Sequence, residues 1–508
     1  MKRFIAILAA PGVKGAVKDA APTQLVTVTF PGAERKGAVI PAESAPVHNV
    51  TGFVGKSKDN VLDRWLDWLV RASGSEPVFL IIVIDLLVWA LLGIPFGGLE
   101  VWAVVISDAQ AIISYIFNSL LMRQQLNGYD TILRVSASLR SRNLSHRRML
   151  REILRSGQYK IPSTAELNSN QTESTAQLPT ENWVGRISTL TSRILGHFAT
   201  VCLYWVGIII WISFGQYSGW SNEWQLHINS ATSGLMVLIF AFLANIREHH
   251  NTYIERCLNS IFEVDSAIEL KLRTMTGDTT PNPTIVIPAP KVNKLQRAIF
   301  YYADLVGTLV GVAILIIVVV VWLSIGAVLS FNSNWWLLIG TYAGLVGLND
   351  GFVLRNVQFQ LNAYENGAFE EANLEDLSVF AGIGLPDAAT DRIQDNSFSH
   401  RLSAKMGIIC AHEITVVLGV VLIFGLIAGA SAMKWSITGQ LLANVPPSII
   451  ESFFMVILIT GHNLADSSRR ADLQNMYLRR LKLLAYLDRL ELSTHDQSRG
   501  CNVSEANK

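Results

Sequence analysis

The sequence predicts an all-α integral membrane protein, with eight transmembrane helices arranged as four parallel helical-hairpin repeats and with cytoplasmic helical extensions. Three observations predict this fold: apolar segments long enough to cross a bilayer, a one-sided distribution of lysine and arginine, and an internal repeat. The composition agrees with a membrane protein. Only 16% of the 508 residues are charged, the mean hydropathy is +0.34, and soluble domains usually carry about 25% charged residues.

The first observation is a series of segments that approach the roughly 20 residues needed to cross a bilayer. The odd-numbered segments are strongly apolar, whereas the even-numbered ones carry more polar side chains. The predicted spans are residues 77–94, 101–122, 194–214, 225–246, 304–328, 335–354, 407–432 and 440–465.

The second observation is the position of the positive charges. Of the 41 lysine and arginine residues, all but Lys434 lie before the first span, after the last span, or in the three long connections between the predicted hairpins. Because loops rich in lysine and arginine stay in the cytoplasm, both termini are predicted to be cytoplasmic. The four short connections within the hairpins then face the outside.

The third observation is a repeat of one short helix followed by a hairpin. Four copies align without gaps when Arg123, Arg247, Arg355 and Ser467 are set as equivalent. Transporters often contain such repeats, with binding sites near the midplane at repeat interfaces. The predicted division is a cytoplasmic N-terminal tail (1–60), hairpin repeat 1 with a cytoplasmic extension (61–150), a flexible linker (151–180), repeat 2 (181–275), a linker (276–292), repeat 3 (293–384), a linker (385–397), repeat 4 (398–492) and a C-terminal tail (493–508).

The alignment predicts two layers of polar side chains on the even-numbered spans. Asn118, Asp350 and His462 lie five residues before their anchors and form an inner layer. Asp108 and Glu451 lie further out by about ten residues, which is about 15 Å along a helix. An ionisable side chain at the bilayer centre costs roughly 2.5–3.5 kcal/mol. These residues are therefore expected to face the bundle interior or a water-filled path.

Several polar residues also have simpler interpretations. The GxxxG spacing at 347–351 indicates close helix packing. Asp304 and Asp466 lie near the predicted cytoplasmic ends, where solvation or pairing with arginine is expected. His197 and His412, at the starts of two odd-numbered spans, are interpreted as packing or capping residues.

The residue types favour transport over catalysis. Carboxylate, imidazole and amide ligands without a nearby thiol suit Fe(II), Mn(II), Co(II) and Zn(II), although sodium or proton coupling could use the same acids. Residues 52–57 resemble the end of a P-loop, but Val50 replaces the required glycine, and Val416 replaces the second histidine of a zinc-protease helix. The four cysteines form no metal or disulfide framework. A net charge of +1 gives no electrostatic reason for a nucleic-acid partner, and neither an enzyme nor a resident cofactor is expected.

Several long strings resemble the fungal low-affinity iron permease family, over about residues 51 to 490. They are NWWLLIGTYAGLVGLNDGFVLR, MKWSITGQLLAN followed by IIESFF and GHNLAD, SYIFNSLLMRQQL, and LPTENWVGRIS. The resemblance implies a plasma-membrane protein that takes up Fe(II) and, less selectively, other divalent transition metals such as Zn(II), Mn(II), Co(II) or Cu. The residues predicted for the metal path, most of them in the matching strings, are Asp108, Gln110, Asn118, Asp350, Glu451, His462 and Asn463. Asn118 departs from the family pattern, which has an acid there.

The predicted function is low-affinity uptake of divalent metal, chiefly Fe(II), down its electrochemical gradient across the plasma membrane. Asp108 and Glu451 would bind the ion at the outer level, and Asp350 and His462 would pass it inward. The alternative is a non-transporting membrane scaffold or sensor that acts through its cytoplasmic helices. An anion channel is disfavoured because the intramembrane charges are acidic. Membrane lipid and the metal ions are the expected partners, and homo-oligomerisation is left open.

Overall fold

The chain is described by a computed structural model that covers residues 14–24, 52–53, 58, 60–97, 100–157, 159, 178–386 and 398–505. In these parts a trio of helices occurs four times along the chain. The short first helices are α1 (Val61–Ser73), α4 (Trp183–Leu195), α7 (Lys294–Val306) and α10 (Phe398–Ala411). The apolar second helices are α2 (Glu76–Phe96), α5 (Phe198–Gly215), α8 (Leu309–Val328) and α11 (Glu413–Ala432). The long third helices are α3 (Glu100–Ser156), α6 (Asn222–Thr276), α9 (Ser333–Gly382) and α12 (Ile437–Glu505).

The four long helices form a central bundle in the ring order α3–α6–α12–α9. Neighbouring helices run in the same direction, because the sequence separation of contacting residues stays constant along them. Arg469 of α12 binds Glu365 of α9, 104 residues earlier, and Arg480 pairs with Asp376 at the same separation. Antiparallel helices would show a separation that changes steadily along the contact.

Among the described residues, seven helices are long and apolar enough to cross a membrane. They are α2, α5, α6, α8, α9 from Trp335, α11, and α12 up to Leu490. The described part of the chain is therefore mostly helical and has the character of an all-α membrane protein. The predicted span 101–122 lies in α3, which is not among the seven. The apolar helices stand outside the bundle with most side chains exposed, and α2 has no buried residue. Apolar side chains exposed on this scale suit contact with lipid.

Stacked tryptophans join the apolar and long helices of three trios at one end. The rings of Trp322 and Trp335 are 4.4 Å apart and nearly parallel, and each indole N–H donates to the carbonyl of the other residue. Both indole N–H groups are buried and keep a hydrogen bond, so the tryptophan pair stabilises the contact between these two helices. Equivalent stacked pairs are Trp89–Trp102 and Trp211–Trp224.

The four trios interlock in a ring. Trio 1 (α1–α3), trio 2 (α4–α6), trio 3 (α7–α9) and trio 4 (α10–α12) each place the junction between their first two helices on the long helix of another trio. A side chain of that long helix donates to a junction carbonyl that the helix break leaves free. These donors are Asn245 to Gly74, Thr460 to Gly196, Ser119 to Val306, and Asn356 to Ala411. Trio 1 therefore packs on trio 2, trio 2 on trio 4, trio 4 on trio 3, and trio 3 on trio 1.

A small sheet departs from the predicted all-α fold. Strand β1 (Val17–Asp19) pairs antiparallel with β2 (Ile285–Ile287), and Lys14 forms an ion pair of 2.6 Å with Asp304. Part of the predicted N-terminal tail and part of linker 276–292 therefore pack against the bundle. Strands of three residues are too short to show an alternating pattern in the sequence.

The structure describes only part of the other two predicted linkers. The first six residues of linker 151–180 are helical, because α3 continues to Ser156. Most of its remaining residues, and most of linker 385–397, lie outside the described residues.

Beyond the apolar part, the extensions of the long helices share a buried ionic core. Arg480 of α12 binds Asp265 of α6 at 2.6 Å and Asp376 of α9 at 2.8 Å. Arg142 of α3 binds Glu269 of α6 at 3.2 Å. All five side chains are at most 2% exposed, so these pairs tie the four long helices together away from solvent.

His146 lies within this ionic core and makes stability depend on pH. Burial lowers its pKa to about 3, while an unfolded histidine titrates near 6.5. Stability is lost as pH falls below 6.5, because only the unfolded state takes up the proton. The expected loss between pH 7 and pH 5 is about 2 kcal/mol. We expect thermal unfolding of wild type to respond to this pH change more strongly than that of His146→Gln. Equal responses would contradict the prediction.

Candidate metal path

Two carboxylates from neighbouring long helices face each other inside the bundle. Asp350 of α9 and Glu451 of α12 are 1% and 0% exposed, and the charge of Asp350 acts on the Glu451 carboxyl. Asn118 of α3 donates from Nδ2 to Glu451 Oε1 at 3.3 Å. The hydroxyl of Tyr302 on α7 donates to Asp350 Oδ1 at 2.6 Å. We call these four residues the carboxylate station.

The position of Glu451 depends on a glycine of the opposite helix. A Cβ added to Gly347 would lie 2.5 Å from both carboxylate oxygens of Glu451. One turn on, a Cβ at Gly351 would touch Phe454 at 3.5 Å. The packing interpretation of the GxxxG spacing is therefore confirmed. The same spacing also makes room for a carboxylate between α9 and α12.

The carboxylate station has free ligand atoms. Among the residues that the structure describes, Glu451 Oε2 and Asn118 Oδ1 have no hydrogen-bond partner. Two carboxylates neutralise one divalent cation, and carboxylate, amide and phenol oxygens are hard ligands that suit divalent metal ions. In the same described ranges no three His, Cys, Asp or Glu side chains are grouped to hold a metal.

The predicted outer layer does not form as expected. Asp108 is 6% exposed, and its Oδ2 has no partner in the described part of the chain. Gln110 donates to Ser114 and accepts from Ser233. Among the described hydrogen bonds and ion pairs, neither residue joins Glu451, which belongs to the carboxylate station instead.

The correction comes from the register of trio 4. The 104-residue separation between α9 and α12 sets Ile459, eight residues before Ser467, level with Arg355. The helix caps agree, since Ser436 accepts from the N–H of Gly439 as Asn332 accepts from Trp335. Setting Ser467 as the fourth anchor is therefore wrong.

His462 lies further along the bundle than predicted. The corrected register places it opposite Gln358, eight residues or about 12 Å along the helix from Asp350. Its Nε2 is 2.9 Å from Nδ1 of His250, which in turn lies 3.3 Å from Asp466. Asp466 also pairs with Arg470, so the expected pairing with arginine is confirmed.

Asn463 serves a helix contact. Its Nδ2 donates to the carbonyl of Ser192 and its Oδ1 accepts from the Ser192 hydroxyl, which fixes α4 against α12. His197 and His412 accept from the N–H groups of Ala199 and Ile414. The capping interpretation of both histidines is therefore confirmed.

Sequence reasoning missed two parts of the bundle interior. Tyr302 lies on the short helix α7, and nothing in the sequence indicates that its hydroxyl reaches Asp350. Arg247 and Arg355 were used only as alignment markers, yet they are 3% and 5% exposed. Their equivalence in the repeat was the available signal that they share a role inside the bundle.

Comparison with known proteins agrees with the resemblance. The family model described as low affinity iron permease matches residues 184–273 and 399–499. The chain is 38% identical over 496 residues to the low-affinity iron/zinc ion transport protein of Schizosaccharomyces pombe, covering 95% of this chain and 85% of that protein. The chain belongs to the low affinity iron permease family.

A second relative of this permease family member supports the assignment. The low-affinity Fe(2+) transport protein of Saccharomyces cerevisiae is 36% identical over 480 residues, covering 88% of this chain and 87% of that protein. No solved structure matches the chain. The carboxylate station falls partly outside the residues matched by the family model, since only Glu451 lies within them.

Proposed function

We propose that this chain takes up divalent transition metal ions, chiefly Fe(II) and also Zn(II), across the plasma membrane with low affinity. The carboxylate station is the observation that carries the proposal. Two buried carboxylates in a bundle interior offer a dication full charge compensation. The names of two relatives specify iron, and one of them also specifies zinc. Mn(II), Co(II) and Cu are further candidate ions on chemical grounds.

The proposed membrane arrangement has eight spans, formed by the four apolar helices and the first part of each long helix. The positive-inside distribution of lysine and arginine supports cytoplasmic termini and cytoplasmic extensions of the long helices. We assign the α3 segment 101–122 as the eighth span, because its neighbouring helices in the parallel bundle, α6 and α9, are apolar enough to cross the membrane. The apolar helices then face lipid on all sides of the bundle.

The proposed path enters at Asp108 and Gln110 and reaches Asn118 of the carboxylate station ten residues beyond Asp108, nearly three turns along α3. There Glu451 and Asp350 replace part of the hydration shell, and Asn118 contributes a neutral oxygen. His462, with His250 beside it, offers an imidazole site on the cytoplasmic side. Asn463 supports this site as a positioning residue. The membrane potential, worth about 2.3 kcal/mol per charge per 100 mV, drives the ion inward without ATP.

Metal flux into liposomes tests the proposal. Purified full-length chain is reconstituted in liposomes that contain a metal-sensitive dye, and Fe(II), Zn(II), Mn(II) or Cu is added outside at two pH values. We expect saturable, ATP-independent influx of Fe(II) that an inside-negative potential accelerates. Protein-free liposomes and heat-treated protein are the controls. A scaffold or sensor would move no metal, and absence of influx with folded protein would overturn the proposal.

A further inference from the structure

Two buried arginines occupy equivalent positions in the internal repeat and have no acidic partner among the described residues. Arg247 of α6 and Arg355 of α9 lie on helices that are diagonal in the ring, and the charge of Arg355 acts on Arg247. Both side chains are at least nine-tenths buried. Within the described residues neither forms an ion pair with a carboxylate. An uncompensated buried charge is strongly destabilising, so this pair requires a counter-charge.

The internal repeat shows what such a counter-charge looks like. Arg123 is the equivalent of both residues in trio 1. Its Nε binds Asp67 at 2.7 Å and its Nη2 binds Asp63 at 3.0 Å. These two N–H groups lie side by side on one edge of the guanidinium, the edge that binds two oxygens of an oxyanion.

The same edge is free on Arg247. Among the described residues its Nε and Nη2 have no hydrogen-bond partner, while Nη1 donates to the carbonyl of Leu121. Arg355 uses its two Nη groups on Gln358 and Gly407. Its Nε is unpartnered in the described part of the chain. Three donor nitrogens on two buried cations are therefore available.

Within the described ranges, no neighbouring titratable group supplies the missing charge. His462 acts on Arg247 only as an added positive charge when protonated. Cys410, close to Arg355, is a buried thiol. Asp350 is five residues from Arg355 on α9 and belongs to the carboxylate station, where Tyr302 binds it.

We propose that Arg247 and Arg355 form a binding site for a small oxyanion, of the class of phosphate, sulfate or bicarbonate. The Nε–Nη2 edge of Arg247 takes two oxygens, and Nε of Arg355 takes a third contact. The oxyanion occupies the place that the carboxylates of Asp63 and Asp67 take on Arg123. The site lies between the levels of Asp350 and His462, and its test by anion binding does not depend on whether the proposed function is correct.

Thermal unfolding of the purified full-length protein tests the site. Inorganic phosphate is titrated from zero to millimolar concentration in detergent, with sodium chloride adjusted to hold ionic strength constant. A ligand that binds only the folded state raises the melting temperature in proportion to the logarithm of its concentration. We expect the wild-type melting temperature to rise by about 3 °C or more, with sulfate giving a similar rise.

The variants separate oxyanion binding from a general salt effect. Arg247→Gln and Arg247→Lys should lose the phosphate-dependent rise, and Arg355→Gln should weaken it. Without phosphate, Arg247→Gln should be as stable as wild type or more so, because it removes an uncompensated charge. Arg151→Gln, at an exposed position, should keep the full rise. Arg123→Gln should melt earlier but keep the same rise.

Two outcomes would overturn the proposal. One is a wild-type protein whose melting temperature does not respond to millimolar phosphate or sulfate. The other is an equal response in wild type, Arg247→Gln and Arg247→Lys. If Arg247→Gln fails to fold, Arg247→Lys and Arg355→Gln decide the result, because both preserve most of the packing. None of these readouts depends on metal flux, so failure here leaves the proposed function untouched.

Discussion

Metal influx is expected to fall at least tenfold when Glu451 is replaced by glutamine. The substitution preserves shape and the hydrogen bond from Asn118 but removes one of the two negative charges that compensate a dication. A charged hydrogen-bonding contact contributes about 1.5–3 kcal/mol, and about 1.4 kcal/mol corresponds to a factor of ten. Asp350→Asn should have a similar effect, because it leaves the station with the same single charge.

The measurement is initial Fe(II) influx into liposomes that contain equal amounts of folded variant. Glu152→Gln is the matched control, since Glu152 is an exposed glutamate outside the bundle interior. It should transport at the wild-type rate. Each variant is also checked for wild-type elution and melting behaviour before reconstitution. Normal influx through both Glu451→Gln and Asp350→Asn would exclude the carboxylate station as part of the metal path.

Replacing Arg480 by methionine should cost about 3–5 kcal/mol of folding stability, the range for removing one partner of a buried ion pair. Arg480 is the link between Asp265 and Asp376 in the ionic core. Methionine fills the volume but leaves two buried carboxylates without their counter-charge. The expected readout is a large drop in melting temperature or loss of folded protein from the membrane.

Two further variants make this prediction specific. Arg151→Met removes an exposed arginine and should leave stability within about 0.5 kcal/mol of wild type. Asp376→Asn in the Arg480→Met background should recover part of the loss, because it removes one of the uncompensated charges. A melting temperature for Arg480→Met equal to that of wild type would show that the ionic core does not stabilise the bundle.

Much of the architecture follows from hydropathy and charge alone. The apolar helices appear within a few residues of the odd-numbered predicted spans, because lipid-facing helices must be apolar all round. The more polar even-numbered spans become the bundle interior, where Asp350 and Glu451 are enclosed by protein. Residue type and burial were thus predictable, since a carboxylate in an apolar helix has few other places to lie.

The pairing of side chains across helices was harder to predict from the sequence. Setting Ser467 level with Arg355 displaced Glu451 by eight residues, about two helical turns, because the fourth repeat has Ile459 and no arginine at the equivalent position. The helix caps at Asn332 and Ser436 carry the correct register, but the signal of a single capping residue is weak in a sequence. Contacts between distant segments, such as Tyr302 with Asp350, leave no local pattern at all.

The interlocked ring of trios has a consequence for how the chain is assembled during synthesis. Trio 1 needs only trio 2 to complete its contact, and trio 3 docks on a long helix that already exists. Trio 2 must wait, because its partner Thr460 is made more than 260 residues after Gly196. The carbonyl of Gly196 and the groove around it therefore stay open until the last hairpin is inserted. The bundle therefore closes late in synthesis. Truncation before Thr460 in trio 4 would leave the Gly196 carbonyl of trio 2 without its hydrogen-bond donor.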